Sequence, residues 1–148
     1  LENSMVVDIN FYGKAINSLT DEDVRVSNRL GLSSSRMRGF ESGKIGPRDG
    51  NDYVGGNYAA AINLSTTLPM LLESFENIDM KYFIDAGNVW GVDYSDTVDE
   101  SNSIRSSTGL TVNWFTPIGP MNFAFIQNIS KASTDKTESF QFNIGTSF

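Results

Sequence analysis

The chain has 148 residues, enough for one ordinary domain or a piece of a larger one. Its 11 Lys and Arg stand against 18 Asp and Glu, a net charge of −7, and it holds neither His nor Cys. Disulfides, thiolate metal sites, Cys nucleophiles and imidazole bases are thereby excluded, and an acidic chain is a poor electrostatic match to nucleic acid. No apolar stretch approaches the ~20 residues of a membrane-spanning helix. No basic-then-apolar signal peptide opens the chain. It begins at Leu1 in mid-pattern, so the expectation is a fragment whose start lies upstream.

Period-2 alternation of apolar and polar residues dominates the chain from end to end. The first run sets Met5, Val7, Ile9 and Phe11 against Val6, Asp8, Asn10 and Tyr12. The second sets Val24, Val26, Leu30 and Leu32 against Asp23, Arg25, Ser27, Arg29 and Gly31. A long polar segment, Ser33 to Tyr53, comes next. In the third run Tyr58, Ala60, Ile62, Leu64 and Leu68 oppose Asn57, Ala59, Ala61, Asn63, Ser65 and Thr67. Pro69 opens a short link. The fourth run places Ile78, Met80, Tyr82, Ile84 and Ala86 opposite Asp79, Lys81, Phe83, Asp85 and Gly87.

After a second long polar segment, Gly91 to Ser103, the fifth run sets Ile104, Leu110, Val112 and Trp114 against Arg105, Ser107, Gly109, Thr111 and Asn113. Thr116 to Pro120 is a tight turn. Met121, Phe123, Phe125 and Ile129 then oppose Asn122, Ala124 and Asn128. In the last run Phe140, Phe142, Ile144 and Phe148 oppose Gln141, Asn143, Gly145 and Ser147.

The pattern predicts an all-β, antiparallel protein of about seven strands. Several runs reach the ~9–11 residues that a tilted strand needs to cross a bilayer. The second faces mix charges and amides with Gly, Ala and Ser, which suits the inside of a barrel better than an open wet face. A large soluble sandwich with one wet side is the competing reading. Short turns alternating with long loops also fit a transmembrane barrel, the long segments lying outside the cell if the C-terminus is periplasmic.

Two motifs are set aside. Gly39 to Ile45 fails the phosphate-loop spacing, with three residues between the glycines and Ile45 after Lys44. Asp93, Asp96, Asp99 and Glu100 form an acidic cluster without EF-hand spacing, so it reads as a solvated loop. Neither a cofactor nor a metal is expected.

The most specific segment is Arg36 to Asp49. Arg38-Gly39-Phe40, preceded by Met37 and continued by Ile45-Gly46-Pro47-Arg48, resembles the sixth-loop motif of the BamA-like outer-membrane assembly family. Val54 to Asn57, Phe83 to Trp90, Ser107 to Pro120 and Phe140 to Phe148 resemble later strands of that family, in order. Met37 stands where the family usually has Val, Ile or Leu.

The resemblance implies the C-terminal part of a sixteen-stranded transmembrane β-barrel, residues 1–148, with 33–54 as a long extracellular loop folding into the lumen. It implies a loop lock of Arg38, Gly39, Phe40, Asp85 and Gly87, with Arg38 paired to Asp85. Periodicity alone already places Asp85 on the inner face. A strand Glu that shares this Arg in the family is replaced here by Ser65, leaving the lock to Asp85 with help from Asp79. Phe140, Phe142, Ile144, Gly145 and Phe148 are implied as the seam strand and C-terminal signal, with Gly145 at a kink.

The implied function is assembly and insertion of β-barrel proteins into the bacterial outer membrane by strand pairing at a lateral seam, without enzymatic chemistry. The implied partners are outer-membrane lipid, unfolded outer-membrane proteins and periplasmic lipoproteins recruited through upstream domains. The alternatives are a secretion pore of the same superfamily, a passive outer-membrane barrel and a soluble binding module.

Overall fold

A computed structural model describes residues 5–20, 22–25, 28–34, 36–68, 76–92, 103–133 and 135–145. Its strands are β1 (Val7–Ala15), β2 (Arg48–Asp49), β3 (Asp52–Tyr53), β4 (Tyr58–Thr67), β5 (Ile78–Trp90), β6 (Arg105–Thr116), β7 (Gly119–Ser130) and β8 (Phe140–Ile144). One antiparallel sheet of six strands carries the fold, in the order β1-β4-β5-β6-β7-β8. The other two strands, β2 and β3, form a small hairpin inside the segment that joins β1 to β4.

Strands β4 to β7 are 10, 13, 12 and 12 residues long, sufficient to span a bilayer when tilted. β6 and β7 meet at Pro117-Ile118. Proline pre-sets φ at the turn, and the Thr116 hydroxyl donates to the Gly119 carbonyl at 2.6 Å.

The two faces of the sheet are inverted relative to a soluble sandwich. The apolar face is the exposed one, with Phe11, Ile62, Ile84, Trp114, Phe125 and Phe142 all open. The polar face is covered, with Asp85, Arg105, Ser107, Thr111 and Asn122 buried. Among the described residues no second sheet packs on the apolar side. A water-soluble sandwich would bury that side, whereas a barrel wall turns it to lipid.

The apolar band runs obliquely across the ladder. The rung of Ile62 and Ala86 continues into Ser106 and Ser130, and that of Leu64 and Ile84 into Thr108 and Gln127. On β6, β7 and β8 the band has stepped toward the opposite end, to Leu110–Phe125–Phe140, Val112–Phe123–Phe142 and Trp114–Met121–Ile144. Strands tilted against a fixed apolar layer produce this stagger.

The second sequence run, Val24 to Leu32, forms no strand among its described residues. Only Leu30 makes a bridge, to Gly56, so the described sheet has six long-range strands rather than about seven. The alternation of this run has another cause. Val24, Leu30 and Leu32 are buried, while Arg25 and Gly31 are exposed and Arg29 is half-buried. Leu30 and Leu32 pack with Met37, Phe40, Ile45, Ala59, Ala61 and Val89 against the inner face of the sheet. A loop that rests on a surface can bury every second side chain without belonging to a ladder. The acidic cluster at 93–100, Pro69 and Phe148 lie outside the described residues.

Candidate functional site

Residues 36–40 cross the inner face of the sheet, and one rung of the ladder receives them. That rung is Asn63 on β4, Asp85 on β5, Ser107 on β6 and Asn128 on β7, four side chains set edge to edge by the register. The Asn63 amide donates to the Arg36 carbonyl at 2.7 Å. The Ser107 hydroxyl donates to the Arg38 carbonyl, and the Asn128 amide to the Gly39 carbonyl at 3.0 Å. Asp85 accepts the Arg38 main-chain N–H at 3.2 Å. Each strand thus contributes one inner-face side chain to the backbone of the crossing segment.

The charge at the centre is paired. Arg38 Nε and Nη2 each stand 2.7 Å from one oxygen of the Asp85 carboxylate. The Arg38 guanidinium also lies 3.8 Å above the centre of the Phe83 ring. Asp85 is wholly buried and Arg38 nearly so. A planar fork on a carboxylate and an aromatic face is an arrangement that Lys cannot reproduce. With its partner removed, either ion would be left stranded away from water. Asp79, on the same face of β5, is exposed and takes no part in this pair. Ser65 stands opposite Phe83 in the ladder.

Two glycines make the close approach possible. Gly39 has φ +93°, and a Cβ there would lie 2.5 Å from Ile126 Cγ2. Gly87 leaves the space in which Met37 sits, since a Cβ there would lie 2.9 Å from Met37 Sδ and 2.7 Å from the Ala60 carbonyl oxygen. Phe40 is buried in the cluster that holds Leu32, Met37 and Ile45.

Of the residues named from sequence, Arg38, Gly39, Phe40, Asp85 and Gly87 come together here. Phe140, Phe142 and Ile144 lie apart, on β8, and Gly145 directly follows it. Phe140, Phe142 and Ile144 face outward and are exposed, with Phe142 and Phe140 packed on Phe123 and Phe125. Gly145 follows the last ladder residue with φ +89°, and its N–H reaches the Pro120 carbonyl at 2.8 Å. Sequence reasoning missed Asn63, Ser107 and Asn128. The available signal was their position as polar residues on the inner face of their runs.

Comparison with known proteins bears on the family and the fold. A profile described as the Omp85 superfamily domain matches residues 3–148. The outer membrane protein assembly factor BamA of Neisseria meningitidis serogroup B is 31% identical, over 82% of this chain and 19% of its own length. A SAM50-like protein of Schizosaccharomyces pombe is 28% identical, over 90% of this chain and 30% of its own. The crystal structure of BamA from Haemophilus ducreyi lacking POTRA domains 1–3 superposes with a TM-score of 0.77 and 26% identity, over 93% of this chain and 30% of that one. The chain therefore spans under a third of the length of these relatives. With nearly its whole length matched, it belongs to the Omp85 superfamily.

Proposed function

We propose that this chain supplies wall, lumen lock and seam edge to a bacterial outer-membrane barrel that folds and inserts other β-barrel proteins. The observation that carries this reading is the buried fork of Arg38 on Asp85, which holds residues 36–40 across the inner face. Segment 33–54 is then the extracellular loop folded into the lumen. The exposed apolar face meets lipid.

In this reading β8 borders the seam. Among the described residues it pairs only with β7, so its other edge offers backbone donors and acceptors to an incoming strand. Pairing there exchanges hydrogen bonds rather than losing them, so no unpaired backbone need face lipid. No covalent chemistry is required. The substrates are unfolded outer-membrane proteins, and lipoprotein partners in the periplasm would dock on other domains of the intact protein.

The test uses the intact protein in its own cell. It is depleted, wild type or Arg38→Ala is re-supplied, and assembly of an unrelated trimeric porin is followed. Porin should stay unfolded on depletion, and wild type should restore it better than the variant. Porin assembly indifferent to depletion would overturn the reading in favour of a secretion pore or a passive barrel.

A further inference from the structure

We propose that Arg105 and Asp135 form a second lock, one that couples the clamped loop to the edge strand β8. The proposal deepens the reading above and rests on β8 being the seam strand.

Both side chains are wholly buried. Arg105 Nε stands 2.9 Å from Asp135 Oδ2, and Nη2 stands 3.1 Å from Oδ1. The guanidinium also donates to the Asn88 side-chain oxygen and, at 3.0 Å, to the Ser103 carbonyl. Asp135 closes a tight turn as well, its Oδ2 accepting the Ala132 N–H at 2.8 Å. A fork on a rigid strand therefore fixes the segment between β7 and β8 at Asp135.

That segment then runs beside the clamped loop. The Glu138 N–H donates to the Gly39 carbonyl at 2.8 Å, and the Glu41 N–H to the Lys136 carbonyl at 3.0 Å. The Lys136 N–H donates to the Lys44 carbonyl at 3.2 Å, and Thr137 lies opposite Phe40. At the next residue the Ser139 carbonyl accepts the Ile126 N–H at 2.9 Å, and β8 begins at Phe140. Residues 39–44, 136–138 and the start of β8 are thus joined in one hydrogen-bonded path. Among the described residues β8 pairs with β7 over five residues, so the anchorage at its start is a large part of what holds it.

An ion pair that served only its own loop would leave both flanks untouched when broken. Coupling predicts that the three segments open together. Hydrogen exchange, read by mass spectrometry on the intact protein in lipid nanodiscs without substrate, separates the two. Asp135→Asn should speed exchange by about tenfold in peptides covering 39–45 and 140–144, leaving the middle of β5 unchanged.

Arg38→Ala should speed exchange at 136–144, and the double variant should fall short of the product of the single effects. Acceleration confined to 131–138 would overturn the coupling. Arg105→Lys keeps the charge, loses the fork, and repeats the test where Asp135→Asn fails to give a heat-modifiable barrel. The assay needs no assembly activity. Coupled exchange alongside porin assembly indifferent to depletion would sink the functional reading alone, and uncoupled exchange with assembly intact would sink this proposal alone.

Discussion

The rung that clamps the loop and the edge strand β8 belong to one sheet, yet opposite means hold them. On the rung, four neighbouring strands converge on the backbone of residues 36–39 through inner-face polar groups, Asp85 and Ser107 buried and Asn63 and Asn128 half-buried, and a charged fork sits at the centre. On β8, among the described residues, there is a ladder on one side only, five residues long, with aromatic side chains packed on its lipid-facing side. Charge-assisted bonds out of water are directional and lose much when one partner leaves. Aromatic contacts on an exposed face are softer and tolerate sliding. The fold places its stiffness where the loop crosses and leaves the strand proposed to exchange partners among the weakly held elements, as moving elements generally are.

The strongest way to break this contrast is Asp85→Ala. Removing one member of a buried pair costs on the order of 3–5 kcal/mol. Trypsin acting on the intact protein in membranes should then cut at Arg36 or Arg38, where the parent resists. Equal resistance would mean that the clamp does not depend on the fork. Gly39→Val comes next, since it forces a branched residue to φ +93° and drives Cβ into Ile126. A strained site of this kind costs about 1–3 kcal/mol. Its expected signature is partial protease sensitivity, milder than that of Asp85→Ala.

The smallest effect belongs to the edge. Phe142→Ala removes the contact with Phe123, whose ring centre lies 5.1 Å away, and such pairs contribute about 0.5–1.5 kcal/mol beyond buried area. Exchange at 140–144 should quicken while trypsin still spares the loop. Loss of loop protection in this variant would show the edge to be as stiffly tied as the rung.

Much of the sheet could be read in the sequence because each strand carries its apolar set on one side and its small or polar set on the other. Tyr82 and Ile84 outward with Phe83 and Asp85 inward is legible from β5 alone. The segment Val24 to Leu32 defeated the same reasoning, because a loop lying on a surface buries alternate residues too. Arg38 and Asp85 were legible as partners only through resemblance to a family. Asn63, Ser107 and Asn128 were not, since their alignment depends on register across four strands, which connection lengths and the irregularity between Ser106 and Ser107 decide. Asp135 was hidden among the polar residues between β7 and β8, where nothing local marks it as the partner of an Arg thirty residues earlier.

The clamp on residues 36–39 takes hold largely of main-chain atoms: the carbonyls of Arg36, Arg38 and Gly39 and the N–H of Arg38. Such a site measures chain length rather than composition. Exchanging Arg36 for another residue loses its stacking on Tyr12 and leaves every one of these backbone contacts in place. Inserting or deleting one residue between Arg36 and Gly39 shifts carbonyls away from several strands at once. Relatives that keep this clamp should therefore vary in what they place at the position of Arg36 while holding the residue count across this stretch fixed.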